Sequence, residues 1–330
     1  MRGMNSIGIT MGDPAGIGPE VICKAIARMT PQEKSATLVI GDPVFMERAN
    51  RLVKAGLAFV PEGTEPVPEG AVRLLAIDAP NRDAILPGVL SPDAGEAAYR
   101  CVKKGVELAL GGAIDVLVTA SMNKAALRAA GHPFNGHAGL LAHFTGVKQS
   151  YAVLACPQMT VIHVSTHVSL AKAAEACRVE AILKTIRAGH AHMQSTGIEH
   201  PRIAVAGLNP HCGEGGLYGS EDDDYVVPAI AQAKAEGLDV AGPVPGDVVF
   251  QQTVDGKYDL VVAQFHDQGH IPAKLIGRHE TVNVTAGLPI LRTSVDHGTA
   301  FDIAWKGVAD PDNMIAAIAM ARTMRPVKTA

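Results

Sequence analysis

The sequence predicts an α/β fold built on parallel strands, and three observations predict it. Short apolar, β-branched runs alternate with amphipathic helical patterns along the whole chain. The runs carry few polar residues, as strands covered on both faces do. At a prior of roughly 150 residues per domain, 330 residues make about two domains or one large α/β unit.

In chain order, strands are predicted over 6–11, 37–41, 72–77, 115–119, 151–155, 160–164, 202–206, 260–264 and 281–284, each a 4–6-residue run dominated by Val, Ile, Leu, Thr and Ala. Helical periodicity is clearest over 94–110, 179–193 and 223–236. Pro- and Gly-rich stretches at 61–69 (PEGTEPVPE) and 242–246 (GPVPG) read as loops. No internal repeat or low-complexity tract interrupts the pattern, and no composition shift marks a domain boundary.

Composition excludes several classes. With 29 Lys+Arg against 33 Asp+Glu the net charge is -4, which leaves no basic footprint for nucleic acid or anionic lipid. Aromatic residues are 4% of the chain, too few for a single-strand stacking platform. The five cysteines (Cys23, Cys101, Cys156, Cys177, Cys212) are dispersed without a CxxC pair, so reduced thiols in a cytoplasmic setting are expected. Neither a signal-like apolar N-terminal stretch nor a run of about 18 apolar residues is present. The anomaly is 13 His against 5 Tyr, 7 Phe and 1 Trp.

Five motifs carry candidate chemistry. Met11-Gly-Asp-Pro-Ala-Gly-Ile-Gly-Pro-Glu20 follows a predicted strand and opens a helix at Pro19. It reads as a tight turn with Asp13 capping, or as a loop that meets a ligand; it is not the G-x-G-x-x-G dinucleotide motif. His167 (VSTH) stands just past the run 160–164, and His211, in Gly207-Leu-Asn-Pro-His-Cys-Gly-Glu-Gly-Gly216, just past 202–206. His266 opens Gln264-Phe-His-Asp-Gln-Gly-His270-Ile-Pro-Ala-Lys274 just past 260–264. Three imidazoles after strand ends form a pattern suited to a catalytic metal with open positions. Cys212 reads as a buried small residue, and Glu221-Asp-Asp-Asp224 as a solvated helix start. The fifth stretch, 283–302, gathers Asn283, Arg292, Asp296 and His297, with Asp296 expected to cap a helix over 299–306.

Taken together the motifs resemble the PdxA family of 4-hydroxythreonine-4-phosphate dehydrogenases. The matching segments are ITMGDPAGIGPEV, NKAAL, AGHPFNGH, STH, GLNPHCGEGGLYGSED, GPVPGDVVF, HDQGHIPAKL and VNVTAGLPILRTSVDHGTAFDIAWKG, in family order over nearly the whole chain. HDQGH and DIAW are most similar to a second branch, the 4-phospho-D-threonate and 4-phospho-D-erythronate dehydrogenases.

The resemblance implies two α/β/α domains of isocitrate-dehydrogenase-like topology with the active site in the interdomain cleft. One domain would comprise 1–135 plus 297–330, carrying both termini, and the other 136–296, carrying metal and substrate residues and the dimer interface. It implies a cytoplasmic homodimer, related to pyridoxine biosynthesis, with a divalent metal (Zn, Co, Mn or Mg) on His167, His211 and His266, shared between subunits. It carries substrate contacts onto His137, Lys274, Asn283 and Arg292; Lys274 and Asp267 are the catalytic candidates, Asp267 as the carboxylate that orients a ligand imidazole. The cofactor implied is NAD or NADP, with no binding residues assigned.

The implied reaction is oxidation of the 3-hydroxyl of a small, anionic 4-phosphorylated C4 hydroxy acid, then decarboxylation of the β-keto acid. The alternative is a terephthalate cis-dihydrodiol dehydrogenase yielding protocatechuate. Two departures bear on the substrate. Ala138-Gly139 stands where the family usually has Thr-Glu, and Ser121-Met122 precedes Asn123-Lys124 where the family has Ala-Pro.

Overall fold

The computed structural model describes residues 4–325. The strands in chain order are β1 (Ile7–Thr10), β2 (Thr37–Gly41), β3 (Ala58–Pro61), β4 (Ala71–Ala76), β5 (Val116–Thr119), β6 (Tyr151–Cys156), β7 (Met159–His163), β8 (Ile203–Ala206), β9 (Val240–Val244), β10 (Leu260–Ala263), β11 (Val282–Ala286) and β12 (Leu291–Ser294). The chain forms two compact units. The first runs to Lys148 and resumes over Leu288–Thr323; the second is Gln149–Gly287 joined by Met324 and Arg325. The breaks differ from the expected 135/136 and 296/297, and the difference places His137 and Arg292 both in the first unit.

In the first unit the strand order is β3-β4-β2-β1-β5-β12, parallel throughout. β1, β2 and β5 are wholly buried, which explains their unbroken apolar runs. The helix Pro92–Leu110 starts on a Ser91 cap and closes against Lys124–Ala129. That approach depends on Gly95, where a Cβ would lie 2.2 Å from the Ala126 carbonyl oxygen.

The two ends of this unit are stapled together. Glu20, fully buried in the helix Gly18–Ala27, accepts the backbone N–H groups of Trp305 and Gly307. Lys24, one turn on, donates to the carbonyls of Gly307 (2.8 Å) and Ala309 (2.6 Å).

In the second unit the order is β11-β6-β7-β10-β8-β9. β7, β10, β8 and β9 run parallel, but β6 is antiparallel to both β7 and β11. The all-parallel expectation fails here because only Pro157 and Gln158 separate β6 from β7, and a two-residue link joins only antiparallel strands. Leu154, Met159, Val161, Phe250 and Tyr258 lie in the core of this unit.

Three local expectations are also corrected. No helix forms over 299–306; the segment is turns, with Ala300 (φ 43°) and Trp305 (φ 61°) in the left-handed region. Asp296 therefore caps no helix there. Glu221–Asp224 is a solvated helix start only in part: Asp223 and Asp224 are exposed, but Asp222 is fully buried, in a π-helical turn (Asp222–Val226) ahead of the helix Val227–Ala235. Cys212 is half-buried rather than buried.

Candidate active site

The parallel neighbours β7, β10 and β8 end on one edge of the second unit, so the loops bearing His167, His266 and His211 leave from the same edge. Ligand sites of α/β proteins form at such carboxyl ends. Two glutamines stitch this edge. Gln264 donates to Ala206 O at 2.7 Å, and Gln268 donates to Gly207 O at 2.7 Å while accepting from the Gln264 N–H at 2.7 Å.

Two of the three histidines sit on left-handed backbone. His167 has φ 45° and His211 φ 52°, followed by Cys212 at 55° and Glu214 at 44°. Non-glycine residues hold that conformation only where their surroundings impose it, and such positions cluster at functional sites. The loop that leads into His211 is anchored by Asp222. Its carboxylate accepts the backbone N–H groups of Leu208 (2.7 Å) and Asn209 (2.9 Å), while Asn209 donates to Glu221 at 2.8 Å. Asp222 is an organising residue that the sequence reading missed; inside an acidic run, nothing distinguishes a buried carboxylate from solvated ones.

A pocket of about 330 Å³ opens beside His167 and His266, with Ser165, Val168, Leu170 and Phe265 in its wall. The two rings are 5.5 Å apart, centroid to centroid. His266 opens the helix His266–Gly277, and its Nδ1 meets the Asp267 carboxylate at 2.7 Å. With Nδ1–H given to Asp267, Nε2 is left as the ligating atom, the arrangement metal-bound imidazoles adopt. The donors therefore suit a divalent ion in kind. Yet among the described residues of one chain no three His, Cys, Asp or Glu side chains come together as a metal cluster. His211 rests near Tyr218, its ring 6.0 Å from the phenol.

Behind His266 lies a second pair of imidazoles. His270 stacks on His266 at 3.7 Å, 13° from parallel. Its Nδ1 lies 3.0 Å from Nε2 of His163 and 3.1 Å from the His266 carbonyl. His163, the last residue of β7 and 2% exposed, places Nδ1 3.1 Å from the Ala152 carbonyl. Burial pushes His163 down to about 4; burial, then His163 and His266, push His270 down to about 3. Of the other predicted residues in this unit, Lys274 is exposed on the helix His266–Gly277 and Asn283 is half-buried on β11 opposite Leu154.

In the first unit, Arg292 on β12 is 3% exposed and donates to Thr119 Oγ1 through Nε (3.1 Å) and Nη2 (2.6 Å). Burial pulls its pKa down to about 9. His137 begins the helix His137–Thr145, and its Nε2 is buried with no hydrogen-bond partner. Burial first, then the charges of Arg292 and Lys124, hold His137 well below its ordinary range. The sequence reading did not single out Lys124 among the charges around His137. In the Gly12–Gly16 turn, Asp13 Oδ1 accepts from Ala15 N at 2.8 Å, so Asp13 caps the turn and not the helix. Its Oδ2 has no partner, and burial pushes its pKa up to about 6.

Parallel strands ending in polar, Gly-punctuated loops define an α/β enzyme, and comparison with known proteins identifies its class. The family model described as pyridoxal phosphate biosynthetic protein PdxA matches residues 33–321. A D-threonate 4-phosphate dehydrogenase of Pectobacterium atrosepticum is 44% identical over 96% of this chain and 98% of its own length. The crystal structure of a 4-hydroxythreonine-4-phosphate dehydrogenase from Burkholderia phymatum superposes with a TM-score of 0.87 at 43% identity, covering 98% of this chain and 100% of that one. A terephthalate 1,2-cis-dihydrodiol dehydrogenase from Burkholderia xenovorans gives a TM-score of 0.70 at 30% identity, covering 97% and 98%. The chain belongs to the PdxA family and is a dehydrogenase. No helix among its described residues is long and apolar enough to cross a membrane.

Proposed function

We propose that the enzyme oxidises the 3-hydroxyl of a 4-phosphorylated C4 hydroxy acid with NAD or NADP as hydride acceptor. The candidate acids are 4-hydroxythreonine-4-phosphate, 4-phospho-D-threonate and 4-phospho-D-erythronate. The observation that carries this reading is 44% identity over nearly the full length of a D-threonate 4-phosphate dehydrogenase, against 30% for the dihydrodiol enzyme.

Each residue has a task in this reading. The buried Arg292, oriented by its bonds to Thr119, brings a guanidinium charge to a phosphate or carboxylate, and burial strengthens that charge-assisted contact. His137, neutral beside two cations, hydrogen-bonds the substrate through the unpartnered Nε2. Lys274 anchors an anionic group or takes up the alcohol proton, and Asn283 adds a polar contact. His167, His211 and His266 would hold a divalent ion of the zinc, cobalt, manganese or magnesium kind, with Asp267 orienting His266. The chemistry such an ion supplies is Lewis acidity toward an alcohol and the ketone it becomes. Oxidation at C3 leaves a ketone β to the carboxylate, and acids of that type lose CO2.

A homodimer would complete the donor set, with ligands drawn from both subunits. One chain brings no three donors together among its described residues. Leu170 (68% exposed), Leu217 (69%) and Leu275 (72%) leave apolar surface on the elements that carry the histidines.

The test is incubation of the purified protein with each acid, NAD or NADP, and each of the four metals. Reduced nicotinamide with dihydroxyacetone phosphate from 4-phospho-D-threonate supports the reading. Protocatechuate from the terephthalate dihydrodiol moves the assignment to that substrate. Absence of reduction with every acid refutes it.

A further inference from the structure

We propose that His163 and His270 form a tautomer-locked pair whose task is to position His266; this rests on the reading of His266 as a metal ligand. The lock follows from counting donors. The Ala152 carbonyl near His163 Nδ1 only accepts, so Nδ1 carries the proton and Nε2 of a neutral ring is bare. His270 Nδ1 faces two acceptors, that bare Nε2 at 3.0 Å and the His266 carbonyl at 3.1 Å, so it too carries the proton. The opposite assignment sets a lone pair against an acceptor at both ends of the chain. One arrangement satisfies all three contacts with one N–H per ring.

The packing around the pair is equally specific. A Cβ at Gly269 would lie 2.3 Å from His163 Nε2 and 3.0 Å from the Ala263 Cβ, so the helix seats over His163 only because residue 269 has no side chain. That seating carries His270 onto His163 and lays its ring flat on His266. His266 is then held on two sides, by the Asp267 carboxylate at Nδ1 and by the His270 ring against its face. A ligand whose rotamer is set before the ion arrives loses less entropy on binding, and such outer groups are worth about 10- to 100-fold in metal affinity or activity. The segment HDQGH thus contains a ligand, its carboxylate partner, a clearance residue and a backing ring.

The test has two parts. Long-range 1H–15N correlation on metal-free protein should show both His163 and His270 as the Nδ1–H tautomer; an Nε2–H signal from either ring overturns the lock. Co2+ binding, followed by visible absorption, should weaken about 10- to 100-fold in His270→Ala and recover only in part in His270→Phe, which keeps the backing ring but loses the N–H of the lock. Thermal melting runs alongside to show that both variants fold. Wild-type affinity in a folded His270→Ala refutes the positioning role alone. Failure of the wild-type protein to bind Co2+ sinks the metal reading of His266 and this role with it.

Discussion

Gly269→Ala and Gly139→Ala should move stability in opposite directions, although both replace a helical glycine by the best helix former. The helical gain is up to ~1 kcal/mol in each case. At Gly139 a Cβ meets only Phe134 Cδ1, at 3.9 Å, so the gain stands. At Gly269 the new methyl overlaps His163 Nε2 at 2.3 Å and presses on Ala263 Cβ at 3.0 Å. His163 has nowhere to go: it is 2% exposed and bonded at both nitrogens. Either the helix shifts, at about 1–3 kcal/mol for overpacking, or His163 gives up its bond to Ala152, at a similar cost. The net is a loss of about 1–2 kcal/mol for Gly269→Ala and a gain of about 0.5–1 for Gly139→Ala. At roughly 2–4 °C per kcal/mol, calorimetry should show melting lowered by about 2–8 °C in the first and raised by about 1–4 °C in the second. A Gly269→Ala protein as stable as wild type would show that His163 is not pinned, and the packing account of this helix would fall.

Other outcomes follow from the same contacts. Asp222→Ala strands the N–H groups of Leu208 and Asn209 and should cost about 2–4 kcal/mol in urea unfolding, with loosened metal binding through His211; an unchanged midpoint would mean the loop holds itself. Asp13, pushed up to about 6, binds its proton more tightly folded than unfolded, so its contribution is fully present below about pH 4 and is lost as pH rises to 6 and beyond. Asp13→Asn should therefore match wild type near pH 4 and exceed its stability by up to about 3 kcal/mol at pH 7; a gap that does not widen with pH contradicts the raised pKa. His211→Ala, or chelator treatment of the wild type, should abolish turnover while leaving the circular dichroism unchanged, and near-normal kcat in either would dispose of the metal proposal. Arg292→Ala should chiefly raise KM for a phosphorylated acid, and a KM equal to wild type would relieve Arg292 of reading the anion.

Much of this was legible in the sequence, for physical reasons that differ by residue. Strands such as Val116–Thr119 and Leu260–Ala263 are buried on both faces, so their apolar runs show without ambiguity. His167, His211 and His266 were visible because each follows such a run. Leu291–Ser294 was not, since Arg292, Thr293 and Ser294 give a strand a polar face, which here is buried. A capping Asp296 points to a helix over 299–306, but left-handed φ angles at Ala300 and Trp305 are tertiary impositions that local sequence does not announce. His163 and Asp222 went unnoticed for a related reason. Their roles are made by partners 107 and 14 positions away.

The staple between Glu20 and the segment around Trp305 has a consequence for biosynthesis. Its halves lie 285 positions apart, and β12, which completes the first unit's sheet beside β5, likewise follows the second unit's strands in the chain. Residues 149–287 leave the ribosome as one uninterrupted stretch holding the six strands found among the described residues of the second unit. The inserted unit is therefore free to fold while its host still waits for a strand and a clasp. A chain cut before Leu288 would keep every strand named for the second unit and would lack β12 with Arg292.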